Sequence, residues 1–211
     1  MLRLFVVFLL LVVELAIALP VMPALALALG GDAVHIGLLY ALQSFGQFAM
    51  SPFWGGLSDR LGRKRVLLLT IFLVSVAELA TAFAPTLLAL YAVRLLVGLC
   101  AGGVAAGSAL VSDITTTEER SRGMAVIGIA FGLGFTIGPA LGAGIGYLAH
   151  DGAGPLGAGL PFIVAAAIGF LNVALGAVIL VEPRLSSDRR HDNRRVRPSV
   201  RDVRALLHDR I

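Results

Sequence analysis

Long hydrophobic segments alternate with short polar connections along the chain. Six segments are each long enough to cross a bilayer, whose hydrocarbon core of about 30 Å needs roughly 20 helical residues. None has the period-two alternation of a membrane β-strand. The predicted transmembrane helices cover residues 4–29, 36–54, 66–84, 86–111, 123–147 and 160–181. We therefore predict a six-helix membrane bundle over residues 1–182 and a polar tail over residues 183–211.

The composition supports a membrane protein. Of the 211 residues, 58% are hydrophobic and 14% are charged, whereas soluble domains have about 25% charged residues. The charges are too few to cover a water-soluble globule, and six spans leave no room for a sizeable soluble domain. The chain has a single cysteine, Cys100, in an apolar segment, so no internal disulfide can form.

The basic residues are placed asymmetrically, although the formal net charge is only +4. The N-terminus, the second and fourth connections and the tail carry every Lys and Arg except Arg94, and nine arginines follow residue 181. Since short cytoplasmic loops are enriched in cations, we expect both termini to be cytoplasmic in the cell (inner) membrane. A cleaved signal peptide is the alternative at the N-terminus, but the first apolar segment is too long for one and contains Glu14.

The tail, residues 183–211, is interpreted as the solvated start of a central cytoplasmic loop. Its basic residues could also bind anionic lipid or nucleic acid, and we expect no nucleic-acid partner. Apolar residues recur at helical spacing over about 199–210 after a sequence typical of a capping box. This pattern predicts a short amphipathic helix on the membrane surface.

The second connection combines glycines, an acid and cations: Gly55, Asp59, Arg60, Gly62, Arg63 and Lys64. Gly55 permits close helix approach, and Gly62 permits a tight turn. Asp59 precedes Arg63 by four residues and can pair with it if the helix extends. The run resembles motif A, the loop between the second and third helices of major facilitator superfamily transporters.

The resemblance extends to the later spans. Arg94 lies in a run similar to the fourth-helix arginine motif of the family, and the loop after it, with Asp113, Glu119 and Arg120, resembles that of drug–proton antiporters. The fifth span resembles the antiporter motif C, with Ala143 in place of its last glycine. The matching residues are Gly134, Gly138, Pro139 and Gly142.

This resemblance implies the fold and the activity. The fold is the all-α N-terminal half bundle of a major facilitator transporter, with six transmembrane helices in a 3+3 inverted repeat. The activity is proton-coupled efflux of small drug-like molecules by alternating access, nearest the tetracycline-efflux branch, with motif C in a gating role. Independently of the resemblance, the glycines between 128 and 146 indicate that the fifth span has a small-residue surface for helix packing.

Three ionisable residues lie well inside predicted spans: Glu14, Glu78 and Arg94. Each would cost about 2.5–3.5 kcal/mol at the bilayer centre, so we expect them to face a cavity or one another. By resemblance, Arg94 supports proton coupling by biasing a nearby carboxylate. Glu14 is a candidate for that carboxylate. Glu78 is a further candidate for proton coupling, and it either lines a cavity or is a snorkelling or packed acid.

Enzymatic functions are disfavoured. No Ser–His arrangement of an intramembrane protease is present, the four histidines are dispersed, and no phosphate-binding loop occurs. We therefore expect no catalytic residues, no metal and no cofactor.

The motifs all belong to the first half of a major facilitator transporter. We expect the cavity for protons and a small-molecule substrate to need a C-terminal six-helix half or a second copy. The alternatives are a fragment that does not transport alone and a half-transporter that works as a dimer.

Overall fold

The chain folds into antiparallel helices in a computed structural model that describes residues 2–116, 118–150 and 154–180. The helices are α1 (Leu2–Ala28), α2 (Ala33–Leu61), α3 (Arg63–Ala82), α4 (Leu87–Cys100), α5 (Gly103–Ile114), α6 (Arg120–His150) and α7 (Leu160–Ile179). A 3-10 helix, Gly154–Gly159, leads into α7. No strand occurs in these ranges, and the predicted helix over 199–210 lies outside them.

Each predicted span overlaps helical structure, with two differences. The span predicted over 86–111 is divided into α4 and α5, which are separated by Ala101 and Gly102. The span predicted over 36–54 belongs to a longer helix, α2, because polar residues continue the helix toward Gly62.

Five helical segments among the described residues are long and apolar enough to cross a membrane: Leu2–Ala28, Arg63–Ala82, Leu87–Asp113, Arg120–Ala149 and Gly157–Ile179. Helix α2 is not among these five, although its 29 residues are long enough to cross a bilayer. It carries Gln43, Gln47, Asp59 and Arg60 along its length.

Helix α1 lies at the centre of the bundle. Fourteen of its residues are buried, whereas α2 buries only Leu39, Gly46, Trp54 and Ser58. Helices α6 and α7 pack against α1, and α2 packs against α4. The core of the bundle therefore lies around α1, and large apolar side chains of α2 and α6 stay exposed.

Proline removes a backbone hydrogen bond from α1, and a neighbouring helix supplies a replacement donor. Pro23 has no N–H to give to the carbonyl of Leu19 four residues earlier. The Tyr40 hydroxyl of α2 donates to that carbonyl at 2.7 Å. A backbone carbonyl without a donor is costly in a membrane, so this hydrogen bond ties α2 to α1 at Leu19.

The start of α2 is capped by Asp32. Its carboxylate accepts hydrogen bonds from the backbone N–H groups of Val34 and His35 at 2.9 and 3.0 Å. The His35 imidazole lies 2.6 Å from the same carboxylate oxygen. These hydrogen bonds, the one from the His35 side chain above all, hold the pKa of Asp32 below its usual value.

Candidate functional site

Arg94 and Glu78 form a buried ion pair between α4 and α3. The Arg94 Nη2 atom lies 2.6 Å from Glu78 Oε2, and both side chains are 1% exposed. The same nitrogen donates to the Thr81 hydroxyl at 2.5 Å, and Nη1 donates to Gln43 Oε1 at 3.4 Å. The Phe162 ring of α7 lies 5.6 Å from the guanidinium carbon, within cation–π range. The arginine charge is therefore balanced within the half bundle.

Glu14 occupies a separate position between α1, α3 and α7. It is completely buried, and its Oε1 atom accepts a hydrogen bond from Ser75 at 2.7 Å. Its Oε2 atom has no hydrogen-bond partner. Gly169 of α7 provides the space, because a Cβ atom there would overlap both Glu14 and Ser75. No cation pairs with this carboxyl group in the described part of the chain.

The sequence correctly identified the three buried ionisable residues but did not identify their pairing. Glu14 was a candidate for the acid beside Arg94, and the structure places Glu78 beside Arg94. The sequence reasoning also missed Ser75, Thr81 and Asn172, the last of which donates to the Val7 carbonyl at 3.0 Å. Polar side chains inside apolar spans are the signal that could have found them.

Arg63 organises the end of the bundle that carries the second connection, which we call the basic end. Its guanidinium lies 2.6 Å from Asp59 and 2.9 Å from Asp113 at the end of α5. Nη1 also donates to Ser58 at 3.2 Å. Gly62 has φ 102°, a left-handed conformation that favours glycine and allows α2 to turn into α3. The predicted Asp59–Arg63 pairing is thus present in the structure.

Lys64 joins the start of α3 to the end of α7. Its ammonium donates to the carbonyls of Ala177 and Leu180 at 2.8 and 2.5 Å. A cation at a helix C-terminus also stabilises the helix dipole. Within the described residues, Arg60, Glu119 and Arg120 form no ion pair. Of the charge partners expected at the fourth connection, only Asp113 forms an ion pair among the described residues.

The glycines of the motif C run pack on α1. A Cβ at Gly134 would lie 2.6 Å from Val12 Cγ1, one at Gly138 would lie 2.5 Å from the Ala16 Cβ, and one at Gly142 would overlap the carbonyl of Ile17. These glycines recur every four residues, so they share one face of α6. Pro139 interrupts the hydrogen bonding of α6 beside this contact.

Other glycines do not make the helix contacts that we expected. A Cβ atom at Gly128, Gly132 or Gly144 would meet no atom within 4 Å, so the small-residue surface of α6 is narrower than expected. Gly55 also has open space beside it, so no helix of the described half bundle approaches α2 closely there. The close approach of α2 occurs at Gly46, where a Cβ would lie 2.9 Å from the Leu99 nitrogen.

No group of three or more His, Cys, Asp or Glu residues in the described ranges is placed to bind a metal ion. The arrangement is instead that of ionisable groups buried between apolar helices, with an ion-pair cluster at the basic end. Such groups in membrane spans are typical of ion or substrate pathways.

The sequence model of the Major Facilitator Superfamily matches residues 4–211. The chain belongs to this superfamily. The tetracycline resistance protein, class C, of Escherichia coli is 32% identical over 173 residues, which are 81% of this chain and 42% of that protein. Multidrug resistance protein 2 of Bacillus subtilis (strain 168) is 32% identical over 198 residues, or 92% of this chain and 47% of that protein.

A solved major facilitator structure has the same fold. The crystal structure of the human organic anion transporter MFSD10 superposes with a TM-score of 0.69 at 29% identity, over 86% of this chain and 47% of that chain. The prediction of an all-helical major facilitator half bundle is confirmed. The members of this superfamily that the chain matches are transporters, not enzymes. The protein is a multi-pass membrane protein, and it spans less than half the length of these relatives.

Proposed function

We propose that this major facilitator chain forms the N-terminal half of a proton-coupled efflux antiporter for small drug-like molecules. The observation that carries the proposal is the trio of buried ionisable residues, Glu14, Glu78 and Arg94, which are at most 1% exposed. Charged groups are energetically costly inside an apolar bundle, so their presence there indicates a functional site. The names of the relatives, which confer resistance to tetracycline or to multiple drugs, support the substrate class.

We assign different roles to the two buried acids. Glu78 forms an ion pair with Arg94 at 2.6 Å, so the two opposite charges balance each other within the pair. Glu14 has a hydroxyl donor but no cation, and an isolated buried carboxylate is strongly disfavoured. Glu14 therefore carries the proton in this conformation. Its release requires that water or a cation reach Glu14 in another conformation of the cycle.

The ion-pair cluster of Arg63, Asp59 and Asp113 is proposed to join α2, α3 and α5 at the basic end in one state of the transport cycle and to break in the other. We place this end, and both termini, on the cytoplasmic side of the inner membrane, since it carries the cations. The individual pairs are partly exposed, with Asp59 at 62% and Arg63 at 21%. They are therefore weak enough to break during a transport cycle.

A second six-helix half is proposed to complete the cavity. The uncovered face of α2 carries Phe45, Phe48 and Phe53, which are 64%, 80% and 53% exposed. The glycines of α6 that meet no neighbour, Gly128, Gly132 and Gly144, offer a second surface for close packing. The second half is encoded separately or as a continuation, or a second copy of this chain takes its place.

Everted membrane vesicles test the transport proposal. A proton gradient should drive uptake of tetracycline or a quinolone by vesicles that contain the chain together with its second half. Arg94→Ala should abolish this coupled uptake, whereas Arg120→Ala, which removes a cation that forms no ion pair in the described residues, should retain it. Equal transport by the parent and Arg94→Ala would contradict the coupling role.

The state of assembly is tested separately by chemical crosslinking in detergent. A product of twice the mass of the chain supports a dimeric half-transporter. A product that requires co-expression of the downstream open reading frame supports a two-part transporter.

A further inference from the structure

The fourth span is interrupted near the middle of the bundle. Helix α4 ends at Cys100 and α5 begins at Gly103. The two intervening residues turn the backbone, with hydrogen bonds from the Ala101 N–H to Gly98 and from the Gly102 N–H to Cys100 at 3.1 and 2.8 Å. Nothing in the apolar pattern of this segment requires the interruption, so it needs a cause from outside the span.

Trp54 of α2 provides that cause. In a continuous helix, the Leu99 carbonyl would accept from the Gly103 N–H. Here it accepts from the Trp54 indole N–H at 2.7 Å. Trp54 is 6% exposed, so water does not readily replace this donor.

The indole also explains the glycine at position 102. Gly102 has φ −91° and ψ −6°, which any residue adopts, so the backbone does not require glycine. A Cβ there would lie 2.7 Å from the Trp54 Cβ and would overlap the ring. Gly102 is therefore needed to seat the indole beside the break.

The two parts of the fourth span share α3 as a neighbour, but α4 packs mainly on α2, whereas α5 also reaches α1 and α6. Just before the break, α4 touches the backbone of α2, where Gly98 meets Gln43. Just after it, α5 touches α3 and α1, where a Cβ at Gly103 would lie 3.2 Å from Thr70 Oγ1 and one at Gly107 would overlap the Phe8 ring. A small recess beside the break is lined by residues that include Gln47, Thr70, Ala101 and Val104.

We propose that the Ala101–Gly102 break is a hinge and that Trp54 is the positioning residue that holds it. The hinge lets α5, whose far end carries Asp113, turn relative to α4, which carries Arg94. The Trp54–Leu99 hydrogen bond selects the conformation described above. When the bond breaks, the Leu99 carbonyl takes the Gly103 N–H and the span straightens.

Double electron–electron resonance between spin labels on either side of the break tests the hinge. In a Cys100→Ala background, one label pair is placed at Leu88 and Ser112, on either side of the break, and a control pair at Leu88 and Leu96, both within α4. Trp54 is replaced by benzothienylalanine, which keeps the ring shape but has no N–H. Loss of a hydrogen bond to a buried carbonyl shifts a conformational equilibrium by about fivefold or more, so a second Leu88–Ser112 distance should appear or grow by that factor.

Two further variants keep the test decisive. Gly102→Ala should displace the indole and produce the same second distance. Tyr40→Phe removes the other carbonyl-capping donor of α2, the one on α1, and should leave the Leu88–Ser112 distances unchanged.

An unchanged Leu88–Ser112 distribution without the indole N–H would overturn the hinge, and so would an equal change with Tyr40→Phe. The distances are measured without substrate, so the outcome does not depend on whether the chain belongs to a proton antiporter.

Discussion

The two buried acids should respond very differently to the same substitution. Glu78→Gln leaves the Arg94 guanidinium, 1% exposed, without its counter-charge. Removing one partner of a buried ion pair costs about 3–5 kcal/mol, which corresponds to roughly a 150- to 5,000-fold change in the unfolding equilibrium. Glu14→Gln replaces a neutral acid with a neutral amide that keeps an acceptor for Ser75, so its cost should be about 1 kcal/mol or less.

The unfolding equilibrium is measured in detergent micelles by titration with sodium dodecyl sulfate, followed by circular dichroism. The double variant Glu78→Gln/Arg94→Gln serves as the control, because it removes both charges. It should recover part of the stability that Glu78→Gln loses. If Glu14→Gln destabilises the bundle as much as Glu78→Gln, Glu14 is charged, and the assignment of the proton to it is wrong.

Three further substitutions test the packing and the two ends of the bundle. Gly138→Leu forces α6 away from α1 and should lower stability by about 1–3 kcal/mol or more, whereas Gly144→Leu, which meets open space, should be nearly neutral in the same titration. Asp32→Ala should lower the thermal midpoint at pH 7, and Asp32→Asn should lower it less. Because the His35 hydrogen bonds depress the pKa of Asp32, this loss should be full above the ordinary pKa of aspartate, shrink as the pH falls below it, and be smallest below the depressed pKa. Asp113→Asn weakens a partly exposed pair with Arg63 and should cost about 1 kcal/mol or less, with an effect that fades at high salt; a large, salt-independent loss would contradict it.

The helices were predictable because the bilayer sets their length. An apolar run of about 20 residues has few alternatives to a membrane-spanning helix. The break at Ala101–Gly102 was not predictable in this way, because it depends on an indole that reaches it from another helix. The pair of glycines at 102 and 103 was the only local hint, and glycines are also common in uninterrupted membrane helices.

The candidate site was predictable as a set of residues but not as an arrangement. Glu14, Glu78 and Arg94 are conspicuous because few ionisable residues occur in the spans. Which acid meets Arg94 depends on how each helix is rotated about its axis and how deep each residue lies. Glu78 and Arg94 are 16 residues apart on adjacent helices, so the residue pattern within a single helix cannot predict their contact.

The contact between the Tyr40 hydroxyl and the Leu19 carbonyl limits how this sequence can change over time. The Tyr40 hydroxyl supplies the hydrogen bond that the Leu19 carbonyl lacks because Pro23 has no backbone N–H. A lineage that replaces Pro23 gives the carbonyl its ordinary donor and frees position 40 to drift to phenylalanine or leucine. A lineage that loses Tyr40 first inherits an unsatisfied carbonyl in its innermost helix. Across descendants of this chain, the order of the two replacements should therefore be biased, with the proline lost before the hydroxyl.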